Sequence, residues 1–214
     1  MRTSNAKPLQ SALIFATGLL MAKVTLAVVL NYRDYLPPNF AADFLRGRDG
    51  YFWGPYHWAF YTHIASGPVA LVLGVVLISD RARRRFPAWH RYLGRVQVPC
   101  VLLLVAPSGL GMAYYAAAGP VGSAGLAALA VATGTCAGLG WRAAVRRRFA
   151  DHRRWMWRTF LLLSSAVVLR VIGGLASVAG VTGAWVDPLA VWMSWLVPLA
   201  AFEWAEAERR RAGR

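Results

Sequence analysis

The chain has few of the residues from which soluble enzymes build active sites. It contains two cysteines, four histidines and nine carboxylates among 214 residues. It has no Cys-x-x-Cys-His or His-Glu-x-x-His motif, no phosphate-binding glycine loop and no nucleophile elbow. The sequence therefore argues against attached c-type haem, a zinc protease site, a nucleotide-binding loop and a serine hydrolase, and it leaves no room for a soluble catalytic domain.

The two cysteines carry no redox signature either. Cys100 and Cys136 both lie in apolar segments, where a thiol packs as a small hydrophobic side chain. No disulfide framework is predicted.

Long apolar stretches dominate the sequence instead, and hydrophobic residues make up 57% of it. Six stretches reach the roughly 20 residues that a helix needs to cross the hydrocarbon core of a bilayer. They cover residues 9–30, 57–79, 96–118, 123–145, 156–179 and 188–207. We therefore predict an all-α integral membrane protein, a six-helix bundle formed by one polytopic domain over residues 1–214.

Arginine is concentrated in alternate connections. Residues 80–95, residues 142–158 and the C-terminal tail are rich in arginine, whereas 119–123 and 180–187 contain no basic residue. Basic loops stay on the cytoplasmic side of a membrane. The pattern predicts a multi-pass protein of the bacterial cytoplasmic (inner) membrane with both termini in the cytoplasm.

The net charge of +15 has the same explanation. In a soluble protein such a charge would suggest a nucleic-acid partner. Here the arginines flank apolar stretches, so we predict contacts with anionic lipid headgroups and no nucleic-acid binding.

One connection on the opposite side is long. Residues 31–56 form a predicted outer loop that contains Pro37 and Pro38 and ends in the aromatic run 51–56. Because tyrosine and tryptophan favour the boundary between water and lipid, we expect this run at the outer membrane surface.

Two arginine-rich connections resemble each other. Arg-Arg-Arg-Phe-Pro-Ala-Trp-His-Arg, which begins at Arg83, and Arg-Arg-Arg-Phe-Ala-Asp-His-Arg, which begins at Arg146, precede the third and fifth stretches. Their spacing predicts that spans four and five repeat spans two and three. The two pairs would form a four-helix core and would be related by an axis along the membrane normal. The alternative is that two unrelated basic loops converged.

Three potential cations lie at a similar outer depth, counted at 1.5 Å per helical residue. They are Lys23 in span one, His63 in span two and Arg170 in span five, and no carboxylate lies in the outer half of any span. Ionisable groups at such depth are costly and are candidates for function. We predict that His63, beside Pro68, and Arg170 line one polar cavity that holds a ligand. Alternatively, Lys23 extends its amine to the membrane surface, and His63 has only a structural role as a hydrogen-bond partner of a neighbouring helix.

A second set of polar residues lies at the inner side. His90 and His152 occupy equivalent positions in the repeat, and converging imidazoles would suit a haem or a metal. The alternative is that both histidines cap helix starts and contact headgroups. Arg158 and Glu203 are predicted to form a structural ion pair.

Four features carry a resemblance to a known family. They are His63, the run His90-Arg91-Tyr92-Leu93-Gly94-Arg95, the run His152-Arg153-Arg154-Trp155-Met156-Trp157-Arg158, and Trp195 with Glu203. Over residues 51–206 the chain resembles the bacterial predicted membrane proteins called domain of unknown function 2306. That resemblance implies a multi-pass membrane protein and no particular activity.

The histidine-bearing helices are also similar, more distantly, to membrane cytochromes b of the ascorbate-reducing type. Those proteins carry paired histidines at matching depths. Here the repeat partner of His63, near Leu126, is not histidine. Two bis-histidine haems are therefore not expected.

Three functions remain open from the sequence. The first is a redox-associated membrane protein that binds haem b or quinone through its histidines. The second is a non-catalytic accessory subunit of a larger membrane complex, with other membrane subunits as partners. The third is a carrier for a small anion that uses Lys23, His63 and Arg170.

The predicted orientation can be tested by cysteine labelling. Cysteines introduced at Asp49 and Asp187 should react with an impermeant thiol reagent added to intact cells, because both positions lie in the predicted outer connections. A cysteine at Arg84 should react only after the membrane is broken. Labelling at Arg84 in sealed cells would overturn the orientation.

Overall fold

The computed structural model describes the backbone of residues 6–213 and side-chain environments from residue 15 onward. The chain divides into two compact units, Met1–Gly50 and Tyr51–Arg214. In the first unit, helix α1 (Ala6–Leu30) leads into a 3₁₀ turn at Asn31–Asp34. The single domain proposed for residues 1–214 stays a prediction.

The second unit contains the remaining six helices of the described chain. They are α2 (His57–Ile78), α3 (Asp80–Arg85), α4 (Pro87–Tyr114), α5 (Gly119–Val145), α6 (Phe149–Val178) and α7 (Val186–Ala212). A π-helical turn, Phe52–Tyr56, precedes α2, and a second one, Cys100–Val105, lies inside α4. The described chain is entirely helix and irregular structure apart from one isolated bridge between Tyr35 and Pro38.

Local sequence explains where several of these helices begin and end. The Ser79 hydroxyl accepts from the backbone N–H of Ala82 and caps α3. Pro87 occupies the first turn of α4, where its missing N–H costs nothing. Gly180 ends α6 with φ of 65°, the conformation that glycine adopts most readily.

At the end of α5, an arginine takes the position that glycine takes at the end of α6. Arg147 has a φ of 58°, in the place where glycine usually ends a helix. The N–H of Arg148 bonds back to the carbonyl of Ala143 and closes the turn. A side chain in this conformation is strained.

Four helices pack in a ring. α2 contacts α4 and α6, α4 also contacts α5, and α5 contacts α6, which closes the ring. α7 packs against α5 and α6. The Trp192 indole on α7 donates to the carbonyl of Val121 on α5 at 3.1 Å.

Glycines permit the closest approaches within this bundle. A Cβ at Gly140 would lie 2.8 Å from the sulfur of Met156, and one at Gly74 would lie 3.1 Å from the ring of Phe160. Helices in a bilayer gain van der Waals contact by such close packing, because lipid supplies no hydrophobic drive between them.

Within the described residues, five helices are long and apolar enough to cross a membrane. The prediction of a helical membrane bundle is confirmed, but the sixth stretch does not reach the apolarity of the others. The corresponding helix, α7, spans 27 residues. It carries Asp187, Glu203 and two prolines, which lower its mean hydropathy.

Two helix starts also differ from the predicted spans. α4 begins at Pro87 rather than at residue 96, and α6 begins at Phe149 rather than at residue 156. Both helices start with polar turns beyond the apolar stretch, so hydropathy alone places them in loops. His90 and His152 therefore lie on helices.

The two helix starts match in detail. His90 and His152 are each the fourth residue of their helix, and the N–H of each bonds to the carbonyl four residues earlier at 3.0 and 2.9 Å. Buried positions continue at the same spacing of 62 residues, with Gln97 corresponding to Thr159 and Val105 to Val167. These matches support the duplication, which stays a prediction.

Tight packing at a glycine can be tested with a matched pair of substitutions. A Cβ at Gly125 would lie 2.9 Å from Val191 and 3.0 Å from the Trp192 ring, both on α7, whereas Gly173 has no atom within 4 Å. Gly125→Val should destabilise the fold by about 1–3 kcal/mol through overpacking. Gly173→Val should have little effect.

The measurement is thermal unfolding in detergent with a thiol-reactive dye. Cys136 is buried and Cys100 is partly buried, so unfolding increases their reaction with the dye. Equal melting temperatures for the two variants would contradict the packing of α5 on α7.

Candidate functional site

The bundle has two chemically different ends. The arginine-rich end contains the α2–α3–α4 turns, residues 79–87, and the turn at 146–148. The aromatic end contains the turn before α2 and the α4–α5 and α6–α7 connections. There the rings of Tyr51 and Tyr115 stack with their centroids 5.0 Å apart.

A pocket of about 230 Å³ lies at the arginine-rich end. Helix α3 and the start of α4 fold over the last turn of α2 and form the walls of this open pocket. It is lined by six apolar or aromatic residues and two potential donors: Val76, Leu77, Ala82, Phe86, Trp89, Leu93, Arg83 and His90. The pocket thus combines an apolar wall with polar groups at the expected boundary between lipid and water.

His90 is the imidazole of this pocket. It is partly buried, and its ring nitrogens have no hydrogen-bond partner among residues 6–213. It also lies within electrostatic range of His152. His90 can therefore offer an N–H or a lone pair to a molecule in the pocket.

His152 is held differently. Its Nδ1 lies 2.9 Å from the carbonyl oxygen of Gly140 on α5. A carbonyl only accepts, so Nδ1 carries the proton and Nε2 is the acceptor of the neutral ring. The structure brings His90 and His152 near each other, but of the described residues that line the pocket only His90 carries an imidazole.

Asp80, the first residue of α3, links this helix to α6. Its carboxylate accepts from Arg83 at 3.1 Å and from Arg153 on α6 at 2.6 Å. Burial raises the pKa of Asp80, but the hydrogen bonds and charges of Arg83 and Arg153 outweigh it and lower the pKa below its usual value. α3 is thereby anchored to α6.

Arg158 and Glu203 join α6 to α7. The guanidinium donates from Nε and Nη2 to the two carboxylate oxygens at 2.5 and 2.9 Å. The guanidinium also lies 4.5 Å from the centre of the Trp155 ring. Such a two-pronged pair fixes both distance and orientation, and here it fixes the position of α7.

His63 and Arg170 lie towards the aromatic end. Nδ1 of His63 is 3.1 Å from the Ser108 hydroxyl on α4. Arg170 is exposed, donates to the carbonyl of Ala166 in its own helix at 2.9 Å, and lies within electrostatic range of His63. The pocket lies at the other end of the bundle, so the predicted cavity between His63 and Arg170 stays a prediction.

Lys23 lies on α1, in the first unit, and its side chain is exposed. Its participation in a site with His63 and Arg170, which belong to the second unit, also stays a prediction.

Sequence reasoning singled out His90, but not the apolar residues Val76, Leu77 and Leu93 that line the pocket with it, nor the buried amide of Gln97. Gln97 is 1% exposed, and its Nε2 donates to the carbonyl of Ala70 on α2 at 2.9 Å. The signal was present, because Gln97 is an uncharged polar residue inside an apolar span, two helical turns after His90. Within the described chain, no group of three or more histidine, cysteine, aspartate or glutamate side chains is arranged to hold a metal ion.

The comparison with family models decides the relationship. The model of the predicted membrane protein family DUF2306 matches residues 60–204, more than half of the chain. The chain belongs to this family. The matched region contains every residue that lines the pocket. Searches of curated proteins and of solved structures found no match.

The ion pair between α6 and α7 leads to a stability prediction. Glu203→Gln should destabilise the protein by about 0.5–3 kcal/mol, since it removes the carboxylate charge from the two-pronged bond with Arg158. Arg158 is only 16% exposed, and the 47% exposure of Glu203 limits the effect. Glu208→Gln on the same helix is the control, because Glu208 is 61% exposed. Melting temperatures in detergent give the result, and an unchanged value for Glu203→Gln would contradict it.

The Asp80 bridge leads to a prediction about pH. Because its pKa is lowered in the folded protein, Asp80 contributes stability above the pKa of the unfolded chain and loses it as pH falls through the folded value. Asp80→Asn should therefore melt below the wild type at pH 7, and the gap should close on acidification. Asp43→Asn, at a carboxylate 95% exposed, is the control. A gap that persists at acidic pH would show that charge is not the cause.

Proposed function

We propose that this protein is a redox-associated integral membrane protein that binds a quinone in the pocket at the arginine-rich end. The observation that carries the proposal is the imidazole of His90, which lacks a partner in the described chain and lines an apolar pocket.

The pocket chemistry suits a quinone. A quinone headgroup is a flat ring with two carbonyl acceptors and an apolar tail. An imidazole N–H of His90 can donate to one carbonyl, while the rings of Phe86 and Trp89 offer aromatic surface. Val76 on α2 lines the pocket and is 42% exposed. This exposed apolar side chain gives the tail a path from the pocket into lipid.

The same geometry favours haem less. A haem b between His90 and His152 needs both imidazoles on opposite faces of one macrocycle. Nε2 of His152 has the lone pair for this role, since Nδ1 is bonded to Gly140. His152, however, is not among the described residues that line the pocket. Haem therefore remains the second candidate, and an absorption spectrum separates the two.

We also propose that the pocket opens towards the cytoplasmic leaflet of the inner membrane. The support is the concentration of arginine in residues 80–95 and 142–158, which is typical of cytoplasmic loops. Exposed arginines beside the pocket would then meet anionic headgroups. Nothing in the described residues favours an accessory subunit or an anion carrier over this assignment.

The test is a binding titration with a short-chain quinone on purified protein in lipid nanodiscs, followed by quenching of tryptophan fluorescence. Wild type should bind saturably, and His90→Leu should weaken binding about tenfold, because a hydrogen bond from a partly buried donor is lost. His57→Leu, among the aromatic rings at the other end, should bind as wild type.

Three results would contradict the proposal. They are quenching that does not saturate in the wild type, an equal loss in His57→Leu, and binding that is unchanged in His90→Leu. A Soret band in the purified protein that His90→Leu abolishes would assign the site to haem instead.

A further inference from the structure

The lining of the pocket at the arginine-rich end contains positive but no negative charge. Of the described residues that line it, Arg83 and His90 are polar, and none is a carboxylate. Arg83 is permanently charged, because a guanidinium keeps its proton in proteins. Among the described lining residues, Arg83 is therefore the fixed charge that a bound molecule meets.

The surroundings of the pocket are positive as well. Residues 79–95, which cover α3 and the first turns of α4, contain six arginines and a single carboxylate. Arg83, Arg91 and His152 lie within electrostatic range of the His90 ring. A group of charges of one sign attracts a ligand of the opposite sign. An anionic headgroup gains from this field, whereas a neutral headgroup does not.

The single carboxylate of this segment, Asp80, is already paired. It accepts from Arg83 at 3.1 Å and from Arg153 at 2.6 Å, so two guanidinium groups share one anion. The contact of Arg83 with Asp80 uses Nη2, and a guanidinium has five N–H donors. Arg83 therefore has donors to spare for the oxygen of an anionic ligand, which a guanidinium binds well.

Helix α4 contributes to the same field. His90 lies in the first turn of α4, where the helix dipole places partial positive charge. This turn contains no acidic residue, whereas Asp80, Asp151 and Asp187 lie in the first turns of α3, α6 and α7. No side chain in the first turn of α4 therefore offsets the charge of the helix end beside the pocket.

The open position of the pocket keeps the cost of binding a charge low. The Arg83 side chain is 47% exposed. An anionic group beside it stays in contact with water, while the apolar part of the ligand meets the rings of Phe86 and Trp89. Removing a charge fully from water is expensive, and a half-exposed site avoids most of that cost.

We propose that the pocket selects its ligand by charge, and that it binds a flat ring with an ionised hydroxyl or carboxyl group in preference to a neutral ring of the same size. Arg83 makes the selection by donating to the anionic oxygen. The proposal rests on the proposed function in that the ring is a quinone. It narrows the ligand from quinones in general to acidic ones.

The experiment compares two naphthoquinones of similar size in titrations of purified protein in phosphatidylcholine nanodiscs. Lawsone has a hydroxyl that is ionised at neutral pH, and menadione has a methyl group in the same position. Quenching of tryptophan fluorescence reports binding, since Trp89 lines the pocket. Each variant is compared with the wild type for the same probe, so that unequal partitioning of the two probes into lipid cancels.

Arg83→Gln should weaken lawsone binding about fivefold, as expected for a half-exposed charge pair, and should change menadione binding by less than about twofold. Arg83→Lys keeps the charge and should recover most of the affinity for lawsone. Helix α3 stays attached to α6 in both variants, because Arg153 still binds Asp80.

Two controls keep the result interpretable. Arg84→Gln removes the same charge from α3 at a residue that is not among those lining the pocket, and it should bind both probes as wild type. In the wild type, concentrated potassium chloride should weaken the binding of lawsone but not of menadione, because salt screens exposed charges. The salt arm tests the proposal without any substitution.

The charge selection is wrong if Arg83→Gln weakens lawsone and menadione equally, if Arg84→Gln costs as much lawsone affinity as Arg83→Gln, or if salt leaves lawsone binding unchanged. Naphthoate, an anionic ring without quinone carbonyls, separates this proposal from the proposed function. Naphthoate binding that depends on Arg83, with no binding of either quinone, would contradict only the proposed function. Saturable menadione binding, with lawsone binding that Arg83→Gln leaves unchanged, would contradict only the charge selection.

Discussion

Polar groups inside a bilayer must find their partners within the protein, and this constraint governs the whole bundle. Most buried hydroxyls meet it locally. Ser66, Thr133, Thr159 and Ser164 each donate to the carbonyl four residues earlier in their own helix. Because these bonds stay within one helix, neighbouring helices approach through glycine and alanine without having to match polar groups across the interface.

Contacts that do cross between helices are therefore informative. Within the described chain they include the hydrogen bonds of His63 and Gln97 between α2 and α4, the bond from Trp192 to Val121 between α5 and α7, and the ionic contacts at the arginine-rich end. The ionic contacts hold α3 and α7 to the same helix, α6, through Asp80–Arg153 and Arg158–Glu203. Because α6 makes both contacts, it is held in place beside the pocket, and a binding site needs rigid surroundings.

Much of the fold follows from the sequence because hydropathy and length determine it. A bilayer imposes a minimum apolar length, so the helical bundle and its spans are predictable. The helical form of the first turns of α4 and α6 is not predictable in this way, because arginine and histidine are as common in a loop as at a helix end. The lower apolarity of α7, in contrast, can be read from the sequence, because Asp187, Glu203 and two prolines lie in that helix.

The candidate site is less predictable for a geometric reason. His90, His152, Arg158 and Glu203 stand out as polar residues beside apolar spans. The pocket itself depends on how α3 folds back over α2, and the partner of Gln97 depends on the register between α2 and α4. Both are long-range properties of packing that no local pattern encodes.

The turn after α5 shows how two requirements on one residue conflict. Arg147 occupies a left-handed position in which glycine would be unstrained. Glycine would relax the turn, but it would remove one of the arginines on which the predicted orientation of the chain depends. On that prediction, a residue that helps the chain to insert in one orientation also weakens the folded chain. In membrane proteins, the most stable sequence and the sequence that inserts correctly need not be the same.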